Sequence, residues 1–157
     1  MGLVLALIAV LLVVTLRPQP EAVKVVDPTQ VLIAARAQAP FPVVVPAGLT
    51  GYQVTSARWQ ETPKSDGAPV LHLGYVTPDT QYLQVSQSAA DSASFIDEQT
   101  AGGVAVEQVN INGVSWQLYA TADRRSLVRV GAGVTTVISG TTGQGELEQV
   151  ARSLTAG

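Results

Sequence analysis

Cysteine is absent from the 157 residues, and histidine occurs once. The first absence removes disulfides, thiolate zinc sites, iron–sulfur clusters and cysteine nucleophiles together. With His72 the single imidazole, tetrahedral zinc chemistry lacks ligands, and any Ser–His–Asp triad would have to be built on that residue. Basic charge is scarce too. Nine Lys and Arg face 12 Asp and Glu, for a net charge of −3 and a pI near 5.0, which argues against a nucleic-acid partner. The carboxylates are scattered and form no Asp-x-Asp-x-Asp-Gly calcium loop. No serine sits in a Gly-x-Ser-x-Gly elbow.

What is present is 46% apolar residues and a mean hydropathy of +0.27, with the excess at one end. Gly2–Leu16 holds thirteen Ala, Val, Ile or Leu in fifteen positions and no charge. As a helix it spans about 22 Å against a hydrocarbon core of about 30 Å, so its natural start is expected upstream of Met1. A cleaved signal peptide would carry a basic n-region and a small-x-small cleavage site, and Thr15-Leu16-Arg17-Pro18 offers neither. A core helix would show an apolar stripe, not uniform apolarity. Residues 1–16 are therefore expected to form an uncleaved transmembrane signal-anchor, 17–26 a Pro-interrupted tether, and 27–157 one domain. Arg17, Lys24 and Arg36 follow the span and, counted alone, would hold the domain in the cytoplasm. The rule counts both flanks, and with the upstream flank out of view the domain is expected on the extracytoplasmic side of the cell membrane.

Beyond the tether, Asp27-Pro28 reads as a helix start and Thr29–Gln38 as a short helix that ends before Ala39-Pro40. Val43–Val45, bounded by Pro42 and Pro46, reads as an extended edge or linker segment. Seven strands are expected at Tyr52–Glu61, Val70–Thr77, Gln81–Gln87, Val106–Ile111, Val114–Ala120, Leu127–Ala132 and Val134–Ser139. Pro78-Asp79, Asn112-Gly113 and Gly131-Ala132-Gly133 supply the reversals between them. Helices are expected over Asp91–Ala101 and about Gln144–Thr155, the second burying Leu147, Val150, Ala151 and Leu154. The fold class is α+β: one six- or seven-stranded antiparallel sheet packed by helices.

Residues with chemical potential are weighed against plainer roles. His72 is expected to be a half-buried strand residue, not a general base. Gly140-Thr141-Thr142-Gly143-Gln144-Gly145 lacks the Lys of a phosphate loop, so Thr141 or Thr142 is expected to cap the last helix. Asp97-Glu98 and Glu146/Glu148 read as solvated helix faces. Alternation along Arg124–Val130 puts Arg125, Leu127 and Arg129 on one face and Val128 and Val130 on the other. That strand would form a ligand or headgroup patch, or, as favoured here, bury its valines and send its arginines to water. Trp59, Tyr75, Tyr82, Trp116 and Tyr119 are expected to pack in the core.

Several segments in order carry a resemblance: Pro40-Phe41-Pro42-Val43-Val44-Val45-Pro46 with Gly48-Leu49, Val54-Thr55-Ser56-Ala57-Arg58-Trp59, and His72-Leu73-Gly74-Tyr75-Val76-Thr77-Pro78. Gln87-Ser88, Gly113-Val114-Ser115-Trp116, Leu127-Val128-Arg129, Val137-Ile138-Ser139-Gly140-Thr141 and Leu147–Leu154 continue it. Together they resemble the family of small membrane-anchored actinobacterial proteins described as domain of unknown function 4245, over nearly the whole chain. The resemblance implies a single-span protein with an exported domain, and no activity. Members usually carry basic residues before the span, and this sequence departs from them there. The strand-rich half is also similar, faintly, to Mog1/PsbP-like folds.

The expected function is a non-catalytic binding or interaction module of the cell envelope, without cofactor. Its partners would be the membrane, through the N-terminal helix, and an envelope protein or lipid. The alternative is a carrier of a small apolar or lipid ligand, marked by a deep apolar cavity near Trp59 or Trp116. An enzyme working with carboxylates alone stands third and requires two acidic side chains converging in a cleft. On the leading reading the solvent-facing interaction surface falls at Arg58, His72 and Arg129.

Overall fold

The computed structural model describes residues 23–156. The anchor expected over 1–16 and the first part of the tether lie outside them. Among the described residues no helix is long and apolar enough to cross a membrane. In chain order the elements are α1 (Thr29–Gln38), β1 (Val44–Pro46), β2 (Gln53–Gln60), β3 (Val70–Val76), β4 (Tyr82–Ser88) and α2 (Ala93–Thr100). They continue with β5 (Val104–Ile111), β6 (Val114–Ala120), β7 (Arg125–Gly131), β8 (Val134–Gly140), α3 (Gln144–Ser153) and β9 (Leu154–Ala156).

Seven strands form one antiparallel sheet in the order β2-β3-β4-β8-β7-β6-β5. Two hairpin meanders, β2-β3-β4 and β5-β6-β7-β8, therefore meet where β4 pairs with β8, and α2 carries the chain to the far edge. Turn chemistry sets the hairpins. Asn112 and Gly113 both have positive φ, as do Ala132 and Gly133, the backbone pattern of a two-residue reversal matched to strand twist. Thr80 N–H closes on the Thr77 carbonyl at 2.9 Å around Pro78-Asp79. At each outer strand a register shift, at Val54/Ser56 and at Ala105/Glu107, bends the exposed edge.

Period-2 alternation gives the sheet two unlike faces. One row crosses five strands as Leu73, Val85, Ile138, Leu127 and Leu118, each opposite the next. These residues, with Leu71, Leu83 and Trp116, form the main core against Ala35 of α1, Leu147 and Val150 of α3, and Phe41 and Val43. The opposite face runs Arg58, His72, Ser86, Val137, Val128 and Gln117 in register. Near it Phe95 of α2 packs with Val70 and Ala90 in a second, smaller cluster.

That second cover corrects the reading of β7. Leu127, expected beside the outward arginines, is fully buried, while Val130, expected inward, is 54% exposed. A central strand sandwiched between helices buries both faces, so Leu127 and Val128 are both inside and position along the strand decides the rest. The last helix also ends early. Ala47 N–H takes the Ser153 carbonyl at 3.0 Å, and Leu154 turns extended to open β9. β9 pairs with β1 (Val44↔Ala156, Val45↔Thr155, Pro46↔Leu154), giving the Pro-bounded valines a partner.

The caps differ in detail from expectation. Asp27 Oδ1 accepts from Thr29 N–H (3.0 Å) and Thr29 Oγ1 (2.6 Å) at the start of α1. Ser92 caps α2 by accepting from Phe95 N–H at 3.2 Å, so that helix begins two residues later than expected. Gly143, not Thr141 or Thr142, occupies the cap position of α3, because the Thr142 hydroxyl is turned to Glu146 instead. Glu146, expected to face water, is half-buried and accepts the Tyr52 hydroxyl at 2.7 Å, tying α3 to the chain just before β2.

Candidate polar cleft

The face under α2 is unusual in what it buries. His72, Ser86, Ser88, Ser126, Thr135 and Ser139 are all enclosed. Of the buried side-chain nitrogen and oxygen atoms among the described residues, only Thr135 Oγ1 is without a hydrogen-bond partner. Beside β2, β3 and β4 the cover is incomplete and leaves a cleft of about 350 Å3. Its walls include Arg58 and Gln60 of β2, Glu61 and Thr62 of the following loop, Glu98 and Gln99 of α2, and Arg124 before β7, over His72 and Gln84.

His72 and Gln84 belong to one hydrogen-bonded chain. Tyr82 Oη donates to Gln84 Oε1 (2.8 Å), and Gln84 Nε2 lies 3.1 Å from His72 Nδ1 and 3.0 Å from Ser86 Oγ. Ser86 Oγ is itself 3.0 Å from His72 Nδ1. With the Gln84 amide oriented to take the Tyr82 proton, its nitrogen donates and Nδ1 accepts, placing the ring proton on Nε2. Nε2 has no partner among the described residues. Burial, then the nearby Arg58 charge, push the His72 pKa down to about 4 against an upward pull from Glu98. The ring is therefore neutral at pH 7 and offers the cleft a donor, not a base. Ser86 resembles a nucleophile beside its base, yet it is almost wholly buried beneath Gln84.

Glu98 is held in place. Its Oε2 accepts from Thr62 Oγ1 (2.6 Å) and Gln99 Nε2 (3.3 Å), while Oε1 has no partner among the described residues. The expectation of a solvated Asp97-Glu98 face is thus half right: Asp97 is exposed and pairs with Lys64 at 3.4 Å, and Glu98 turns to the cleft. Glu61 and Glu98 place two carboxylates in one cleft, as a carboxylate-only enzyme would need. Both share the cleft walls with arginines and amides.

Of the three residues expected at an interaction surface, two come together. Arg58 and His72 are cross-strand neighbours lining this cleft. His72 is not solvent-facing, being 6% exposed, because α2 and the 61–69 loop close over β3. Arg129 lies on the other face, at the rim of a hollow of about 160 Å3 beside Trp116, Asn112 and Arg152. That hollow is small and partly polar, and Trp116 itself is packed in the core. Tyr75 is also core, but Tyr82 belongs to the polar network, and Trp59, partly buried, gives its Nε1 proton to Gln38 at 2.8 Å.

Sequence reasoning missed Gln84, Glu98 and Arg124 as site residues. Arg124 carried a signal as part of the basic cluster, but only the pairing of β3 with β4 and the return of α2 bring the others beside His72. Among the described residues no group of three His, Asp or Glu side chains is close enough to hold a metal ion. A family model described as "protein of unknown function (DUF4245)" matches residues 1–154. No curated protein matches the chain.

Proposed function

The chain belongs to the DUF4245 family, a description that names no activity, and we propose that it is a membrane-tethered, extracytoplasmic, non-catalytic binding domain. Its polar cleft takes a component of the cell envelope. One observation carries the reading: Arg58 and Arg124 line a cleft floored by neutral, donor-presenting side chains and make no ion pair among the described residues. Guanidinium groups left without a carboxylate in a concave site are the residues that recognise a charged ligand. The tether rests on the apolar run Gly2–Leu16, and the non-catalytic role on the weakly basic His72, whose Nδ1 is taken by Gln84 and Ser86, and on the inaccessible Ser86.

The carrier reading finds less support, since the hollow beside Trp116 is about 160 Å3, below the usual range of ligand sites (about 300–1,000 Å3), and is walled in part by Arg129 and Arg152. The test is a pull-down with the full chain from solubilised envelope, beside an Arg58→Ala/Arg124→Ala variant and an Arg129→Ala control. A component enriched by wild type and control, and lost from the double variant, is expected. Enrichment that is equal in all three, or absent in all three, removes the cleft from consideration. For topology, phosphatase activity of a C-terminal fusion is expected, and cytoplasmic fluorescence of the equivalent reporter fusion would overturn the extracytoplasmic placement.

A further inference from the structure

The cleft contains four charged side chains, Arg58, Arg124, Glu61 and Glu98, and none of them pairs with another within 4.0 Å. The described residues do form ion pairs where reach allows, at Lys64–Asp97 and Arg152–Glu148, both on open surface. Opposite charges therefore share one concavity without meeting. Glu98 is fixed on α2 by Thr62 and Gln99. Arg58 stands opposite His72 on the sheet, with its side chain exposed at the cleft.

The charges are also sorted. Arg124 precedes Arg125, which pairs through Gly140 with Leu83, so it stands at the Tyr82–Gln84 end of the cleft. Glu98 stands at the α2 end, with Oε1 unpartnered. Arg58 and His72 face each other between these ends, two residues along β2 and β3 from the Gln60–Val70 pair that leads into the Thr62 loop holding Glu98. A simple anion entering here would meet the two glutamates, and a simple cation the two arginines. Only a molecule carrying both charges a short distance apart satisfies both ends.

Resting on the binding reading above, we infer that the cleft takes a small zwitterion, an ammonium joined by a short linker to a carboxylate or phosphate. The oxyanion lies between Arg58 and Arg124, whose planar guanidinium forks suit two-point recognition of carboxylate or phosphate oxygens. The ammonium donates to Glu98 Oε1. The linker crosses His72 and Gln84, and the His72 Nε2–H supplies a further donor. A volume of about 350 Å3 sits at the small end of ligand sites (about 300–1,000 Å3), in keeping with an amino acid, a short peptide or a phospholipid headgroup amine.

The test uses the full chain in detergent and isothermal titration with defined probes. Dialanine and phosphoethanolamine are the two zwitterions. N-acetyl-dialanine keeps only the anion, dialanine amide only the cation, and inorganic phosphate serves as a bare oxyanion. One of the zwitterions is expected to bind at least about tenfold tighter than its single-charge controls, the scale of one charge-assisted hydrogen bond. Which one binds identifies the oxyanion as carboxylate or phosphate. Arg58→Ala and Arg124→Ala are expected to bring that zwitterion down to the level of a cation-only ligand. Glu98→Gln, which keeps the shape and the Thr62 contact, is expected to bring it to the level of an anion-only ligand. Thermal unfolding of each variant shows that the fold is retained. Equal affinity for the zwitterion and either single-charge control overturns the inference. So does the absence of saturable binding by every probe. If in that case the double arginine variant still loses its partner in the pull-down, the binding reading stands and only the ligand class falls.

Discussion

Arg58 and His72 face each other across the β2–β3 pair, a charged side chain at the surface directly beside an imidazole that is buried and neutral. The guanidinium adds to burial in disfavouring a proton on the ring, while Glu98 from α2 opposes it. Tyr82, Gln84 and Ser86 complete its surroundings through the hydrogen-bonded chain.

This pairing makes stability depend on pH in a defined direction. His72 titrates near 6.5 when unfolded and near 4 when folded, so below about pH 6.5 the unfolded chain binds the extra proton. Its contribution is complete above pH 6.5 and is lost as pH falls toward 4, on the order of 3 kcal/mol in all. Urea unfolding of wild type and His72→Gln between pH 7.5 and 4 checks this. Relative to the variant, wild type is expected to lose ground steadily through that window, and parallel curves would show that His72 does not titrate differently on folding.

The burial of β7 gives a contrast of neighbouring positions. Leu127→Ala removes a fully buried side chain from within the five-strand row, between Ile138 and Leu118, and is expected to cost about 2–5 kcal/mol. Val130→Ala, three residues on and more than half exposed, is expected to cost under about 1 kcal/mol. Denaturant midpoints with unchanged slopes measure both, and a larger loss at Val130 would restore the alternation read from the sequence.

Tyr52→Phe tests the link from α3 to the residue preceding β2. The substitution leaves the ring in place and deletes the 2.7 Å bond to Glu146. A loss of about 1 kcal/mol is expected for a hydrogen bond to a partly solvated carboxylate. Glu146→Gln combined with Tyr52→Phe closes a double-mutant cycle, and a coupling energy of zero would mean that the contact contributes nothing.

Two glycines should respond to alanine with opposite signs. A Cβ on Gly140 would strike the Tyr82 carbonyl and stand 3.2 Å from Leu83 Cα, both backbone of the paired strand β4, so Gly140→Ala is expected to cost about 1–3 kcal/mol. Gly145, in the first turn of α3, has nothing within 4 Å of that position, and Gly145→Ala is expected to stabilise by about 0.5 kcal/mol through helix propensity. Thermal midpoints shifting in the same direction for both would contradict the packing described.

Local chemistry determined most of the sheet. Asn112-Gly113 has one favoured reversal, and the alternating strands on either side of it could pair only as a hairpin. The Leu147, Val150 and Ala151 stripe likewise predicted which side of α3 is buried. Arg58 and His72 were legible as candidates because each is a reactive side chain within a strong strand pattern.

Tertiary structure decided what alternation cannot encode. A period of two tells which residues share a face, but not whether that face is covered, so Leu127, Val128 and Val130 were sorted only when α2 and α3 closed on opposite sides of the sheet. Leu154 fits a helical stripe as well as a strand. The choice fell to β1, more than a hundred residues away, whose unpaired edge groups needed a partner. The cleft has the same origin. Arg58 and His72 come from paired strands, Arg124 from a turn and Glu98 from a helix, and only long-range packing sets the charges of Arg58, Arg124 and Glu98 around the neutral His72 without letting them meet.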